Sequence, residues 1–144
     1  MSFSFEPMHE SVLKDYFLGL IDESRLSEDL AGSVIKTSFD VITFYVNPLD
    51  SQFRVEVDHL VKLCDAVLSE KVNAQHLELI GYCLEASEQF FWDDEAGGGD
   101  LVTETVVRWA NPEINYPLTV ENVRKFRERL LTGEDTFTRV DAYQ

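Results

Sequence analysis

Positive charge is scarce in this chain. Twelve Lys and Arg stand against 27 Asp and Glu, a formal net charge of −15 over 144 residues. So few cations make few phosphate contacts, which excludes an ordinary nucleic-acid binder. Cysteine is scarce too. Cys64 and Cys83 are the only two, and their spacing matches no zinc pattern. Both fall on apolar helical stripes, where cysteine behaves as a small buried hydrophobe. A disulfide between them stays open, with a reducing compartment the simpler expectation. No apolar run is long enough to cross a bilayer. The opening residues, MSFSFEPMHES, lack the basic and then apolar segments of a secretion signal. A cytoplasmic protein is therefore expected. Internal repeats are missing, and the triplet Gly97-Gly98-Gly99 is the longest biased segment.

What is present is a chain 44% hydrophobic, long enough for one core and short for two domains. The expected class is α+β: a helix-rich single domain over 1–133, with about four helices packed on a small antiparallel sheet of two hairpins. Residues 134–144 carry few apolar side chains and are expected as a loose tail. A first helix is expected over about Met8–Ile21, with Pro7 at its start and Val12, Leu13 or Tyr16, Phe17, Leu20 and Ile21 on its apolar side. Asp22–Ser27 reads as a polar link, and Ser27 could open a short helical turn before Gly32. Phe39–Val46 is the strongest strand signal of the first half. Asn47-Pro48-Leu49-Asp50 reads as a turn that returns the chain as a partner strand over Gln52–Val55.

A helix over Val57–Glu70 follows, its stripe formed by Val57, Leu60, Val61, Cys64, Val67 and Leu68. The next begins at Asn73, a capping residue, and the short link predicts that the two pair antiparallel. Its stripe is Leu77, Ile80 and Leu84, and Gly81 weakens it. Phe90, Phe91 and Trp92 then suit a half-buried strand. The run DDEAGGGD can only be a turn. From Leu101 the residues alternate, with Leu101, Thr103, Thr105, Val107 and Trp109 on one face. The reading is a β-hairpin with a long tip. Ala110–Thr119 is extended, since Asn111 and Tyr116 each precede proline. Thr119 caps a last helix whose stripe is Val120, Val123, Phe126, Leu130 and Leu131, and Gly133 ends it.

Three constellations are weighed for chemistry. Asp93, Glu95 and Glu104 match positions one, three and twelve of a calcium loop, with Gly98 at six. Gly97 and Asp100 break that pattern, and the strand-like flanks oppose it, so no metal is expected. The histidines His9, His59 and His76 are scattered and none faces an activated nucleophile, while AGGGD lacks the Lys-Ser/Thr of a phosphate loop. No catalytic residue, no enzyme activity and no cofactor are expected. Arg124, Lys125, Arg127 and Arg129 could touch RNA, but four charges on so negative a chain are a poor footprint; they are expected to pair with the chain's own carboxylates or to face water.

Protein recognition remains. Between Val72 and Val123 stand ten acidic side chains and one basic one, Arg108, so −9 of the −15 sits in about a third of the length. A potential of that sign attracts basic surfaces, and Trp and Tyr anchor interfaces. The expected partner-binding set is Phe91, Trp92, Asp93, Asp94, Glu95, Asp100, Glu104, Trp109, Glu113 and Tyr116. Core filling competes for each ring, and regular alternation turns at most one of Phe91 and Trp92 inward.

In size, acidity and lack of catalytic residues the chain resembles bacterial immunity proteins, which neutralise a cognate toxin by covering its active site. The likeness lies in overall character across the whole chain. Those proteins share no single fold, so it implies a function and not a set of residues: an inhibitor of a basic protein partner, a nuclease-type toxin, with no nucleic-acid or membrane partner. The alternative is a non-catalytic structural or adaptor subunit of a larger assembly.

Overall fold

The computed structural model describes residues 8–31, 34–38, 41–44, 46–47, 51–93 and 98–143. In chain order these form β1 (Met8–His9), α1 (Glu10–Phe17), α2 (Glu23–Ala31), β2 (Val34–Ser38), β3 (Val41–Phe44), β4 (Val46–Asn47), β5 (Phe53–Arg54), α3 (Val57–Leu68), α4 (His76–Ala86), β6 (Phe90–Phe91), α5 (Gly99–Ala110), α6 (Val120–Thr132) and a 3₁₀ turn at Arg139–Tyr143. Helix and strand are both present and helix dominates. Six α-helices stand where about four were expected among the described residues.

The two most extensive packings are α4 against α5 and α3 against α6. The expected antiparallel pairing of α3 with α4 is not the one the chain makes. A short link only permits neighbours to pair, and α4 has a better partner. Gly81 lies in the middle of α4, and a Cβ there would stand 2.7 Å from the Ala110 amide nitrogen and 2.9 Å from Trp109 Cβ. The residue that weakens the isolated helix is what lets its backbone meet the end of α5. At that crossing Trp109 is fully buried, with its ring set edge-on to Phe126 at 6.2 Å. The buried apolar side chains form one cluster drawn from α1, α2, α3, α4, α5 and α6.

Helix α5 replaces the expected strand of Leu101–Trp109, and with it the second hairpin disappears. Its composition favours a strand, but such preferences are weak against tertiary context. Val102, Thr105, Val106 and Trp109 are all buried, a spacing of three, one and three that only a helix puts on one side. In a strand Val107 would share the face of Trp109, yet it is 40% exposed. Asp100 in the first turn and Arg108 in the last suit the helix dipole.

The other expected hairpin is also re-paired. β3 lies antiparallel to β2, which precedes it, with Val34 opposite Phe44. β5 instead runs parallel to β6, and α3 and α4 supply the crossover that a parallel pair requires. Phe17 at 6.0 Å and Phe90 at 6.1 Å flank Phe53 and hold this pair to α1. β1 and β4 form a further parallel pair. Phe39, Asp40 and Tyr45 of the expected strand, and Pro48–Asp50 of the expected turn, lie outside the described residues.

Helix α2 takes the place of the polar link. Only Leu26 and Leu30 signal it in sequence, one turn apart and both fully buried. Asp22 Oδ1 accepts a bond from the Arg25 amide at 3.2 Å, as an N-cap does. Asn73 is not the cap of α4: its Oδ1 accepts from the Gln75 amide in a turn just before the helix. Helices α3 and α6 stand close to their expected limits. Thr119 Oγ1 accepts from the Asn122 amide at 3.1 Å, and Gly133 ends α6 in the left-handed region at φ 78°.

The segment after Gly133, expected as a loose tail, makes ordered contacts. Phe137 stacks on Tyr116 at 4.2 Å and tilts against Phe126 at 4.7 Å. Asp141 is 4% exposed. Its Oδ2 accepts from Lys125 Nζ at 2.6 Å and from the Thr138 amide at 2.7 Å. The sequence shows too few apolar residues because one ring and one carboxylate supply the anchor.

Two outcomes follow from these contacts. Gly81→Ala should gain about 1 kcal/mol in helix propensity yet lose about 2–3 kcal/mol to overpacking against α5; a net fall in the urea midpoint checks it, and an unchanged or raised midpoint refutes the close crossing. Lys125 and the Thr138 amide hold the Asp141 carboxyl below its ordinary value. Its contribution is therefore present above the unfolded value of about 4 and lost as pH falls through the lower folded one. Asp141→Asn should open the segment at neutral pH, read as faster tryptic cleavage after Arg139 with unchanged helical circular dichroism.

Candidate protein-docking face

The outer side of α4 carries Glu78, Tyr82 and Glu85 at spacings of four and three, so they form one stripe. Tyr82 is 42% exposed, and Glu85 is exposed. Opposite the first turn of α4 runs the segment joining α5 to α6. Between them is a groove of about 460 Å³ lined by Gln75, Glu78, Pro112, Glu113, Pro117, Leu118 and Thr119. Glu78 thus belongs to both the stripe and the groove. Partial burial raises the Glu78 carboxyl above its ordinary value, and the negative charge of Glu113 raises it further.

Neither carboxylate has an ion pair among the described residues, and the same holds for Glu85, Glu88 and Asp100. The cations of α5 and α6 are engaged elsewhere. Arg124 pairs with Glu121 at 2.8 Å, Lys125 with Asp141, Arg127 with Asp65 at 2.5 Å, and Arg129 with Glu104 and Asp135. Arg108 reaches Asp135 at 3.4 Å and lies over the rings of Tyr116 and Phe137. Each exposed pair contributes little stability. Together they leave the basic side of α6 occupied by the chain's own carboxylates, as expected.

The structure divides the expected partner-binding set. Phe91 points outward, 42% exposed, while Phe90 turns in at 4%. Trp92 is half-buried, and its Nε1 donates to Thr103 Oγ1 at 2.7 Å, which ties β6 to α5. Of the two, Phe91 is the ring that a partner can reach. Trp109 is in the core and leaves the surface set, because a helix turns it inward where a strand would have alternated it. Tyr116 is half-buried beneath Phe137. Asp93, Asp100 and Glu113 are exposed; Glu104 is exposed but bonded to Arg129. Asp94 and Glu95 lie outside the described residues. No hairpin gathers these side chains: Asp100 and Glu104 sit on α5, and Glu113 lies beyond its far end. With 99–104 helical, the calcium-loop reading also loses the geometry by which its residues would surround an ion.

No protein family, curated protein or solved structure matches the chain. Its own geometry is therefore the basis for a functional reading. No helix among the described residues is long and apolar enough to cross a membrane, and no cluster of three or more metal-ligand side chains occurs among them.

The histidines and cysteines have structural surroundings. The amide of Glu56 donates to His59 Nδ1 at 3.0 Å, and the imidazole stacks on Phe17 at 4.8 Å. Burial lowers the pKa of His59 and of His76. His9 pairs with Asp29 at 3.4 Å. Cys64 and Cys83 are both buried as free thiols, and burial drives both pKa values well up, which removes the thiolate that reactivity needs.

Sequence reading missed Tyr82 and Glu78 as a surface pair with Glu113. The spacing of the stripe was visible, but its meeting with Glu113 depends on how the α5–α6 segment returns. Because the Glu78 carboxyl is raised in the fold, the fold loses stability as pH rises through that raised value. Glu78→Gln should therefore stabilise at neutral pH. Screening at this half-exposed site limits the gain to a few tenths of a kcal/mol, or about 1–2 °C in Tm. Glu113→Gln should act the same way, and the double variant should gain less than the sum. Melting at pH 7 and pH 5 checks the sign, and a lowered Tm at pH 7 would contradict it.

Proposed function

We propose that the chain is an acidic, non-catalytic inhibitor of immunity type, which neutralises a basic protein by covering its active or substrate-binding surface. The face proposed for docking is the α4 stripe with its adjoining groove, and not the acidic hairpin suggested by the sequence. What carries this reading is the asymmetry of pairing: among the described residues Glu78, Glu85, Glu88 and Glu113 have no ion pair, whereas the basic side chains of α5 and α6 are all bonded within the chain. Unpaired carboxylates around an exposed aromatic speed association with a basic surface and offer it partners. A nuclease-type toxin has the required charge, since it binds a polyanion itself.

The test is co-expression with the product of the adjoining gene, followed by binding at two salt concentrations. The expected outcome is a complex that weakens as salt rises, together with loss of the neighbour's toxicity. A neighbour that is neither basic nor bound sinks the reading. A complex equally tight at high salt favours a constitutive adaptor subunit, the use to which Ile114, 78% exposed beside the groove, is best suited.

A further inference from the structure

The groove beside α4 is more specific than a general acidic surface. Three of its walls are apolar: Pro112, Pro117 and Leu118. Its shape is fixed by internal bonds. Asn115 Nδ2 donates to the Asn111 carbonyl at 2.9 Å, Asn122 Nδ2 to the Pro117 carbonyl at 2.9 Å, and the Thr119 amide to the same carbonyl at 3.0 Å. A site so tied needs little ordering when a ligand enters. Glu78 approaches from α4 and Glu113 from the opposite segment, and no cation of the described chain answers either.

Resting on the inhibitor reading above, we propose that this groove receives one Lys or Arg side chain of the basic partner. The aliphatic stem lies along Pro112, Pro117 and Leu118, and the charged head sits between Glu78 and Glu113. Only a side chain with an apolar stem and a cationic end matches both halves of the groove. An anion is repelled, and a neutral apolar side chain leaves two carboxylates unanswered. A bare divalent ion is less well matched, since calcium takes six to eight oxygen ligands and the walls are largely apolar. Two like charges in one groove disfavour the free fold. Their arrangement is reconciled when a cation enters between them, and association then draws on a repulsion already present.

The experiment is an amide-resolved NMR titration of the whole chain at low salt with three short capped peptides, identical but for a central Arg, Lys or norleucine. Shifts are expected to concentrate at Gln75, Glu78, Glu113, Leu118 and Thr119. The Arg or Lys peptide should bind about tenfold more tightly than the norleucine one. Glu78→Gln/Glu113→Gln should remove that preference, while Asp100→Asn, on α5, should keep it; melting curves confirm that each variant is folded. Shifts centred on Phe91 or Asp100 overturn the groove as the subsite and leave the inhibitor reading in place. Equal binding of the norleucine peptide overturns the charge argument. Displacement of the peptide by millimolar calcium at the same residues overturns it in favour of a metal. Failure of the co-expression test with groove binding intact would instead sink the inhibitor and keep the subsite.

Discussion

The close meeting of α4 and α5 is the constraint from which the rest of this structure follows. Gly81 has no side chain, and that absence lets the backbone of α4 reach the last turn of α5, beside Ala110 and Trp109. With that contact made, Trp109 can only point into the core, where it meets Phe126 of α6. The contact also sets where the chain must go after Ala110. It turns back past the start of α4, and Pro112, Glu113, Pro117 and Leu118 become one wall of a groove whose other wall carries Glu78. A packing requirement in the core thus positions two carboxylates on the surface.

Charge is distributed by the same geometry. Helix α6 lies against α3 and near the end of α5, so its basic side chains find Asp65, Glu104, Asp135 and Asp141 within reach. Glu78 and Glu85 of helix α4 have no ion pair among the described residues. The separation is therefore not only a matter of how many acidic residues the chain has. It depends on which helices stand side by side. Such pairing contributes modestly to stability, but it occupies the cations of α5 and α6 and leaves the carboxylates of α4 without an ion pair among the described residues. A docking surface for a basic protein requires that difference.

Burial separates the residues that fill the core from those that can meet a partner. His59 serves the start of α3 and the aromatic cluster of Phe17 and Phe53, while both cysteines are buried, Cys83 with its thiol donating to the Glu10 carboxylate at 3.8 Å. Trp92 is held by its bond to Thr103. Among the described residues Phe91 and Tyr82 are the rings left with substantial exposure, and each has a carboxylate near it in sequence. The C-terminal segment completes the arrangement by laying Phe137 over Tyr116, which takes that ring out of the candidate face.

The sequence alone determined the helices whose apolar residues recur at helical spacing over several turns. For α3, α4 and α6, three- and four-residue spacing favours a helix that buries most of the stripe, although Val120 and Leu131 at the ends of the α6 stripe are exposed. It also determined the capping of α6 by Thr119 and Gly133, the scarcity of cations and the acidic excess around α4 and α5. Local composition could not decide α5, where alternating Val and Thr fit a strand as well as a helix, nor α2, where two leucines are the whole signal. It could not decide strand pairing either, because β5 finds β6 only after two helices have packed between them. The groove is the clearest such case. Glu78 and Glu113 are 35 positions apart in the chain, and only the crossing at Gly81, a contact between distant backbones, brings them to the same place.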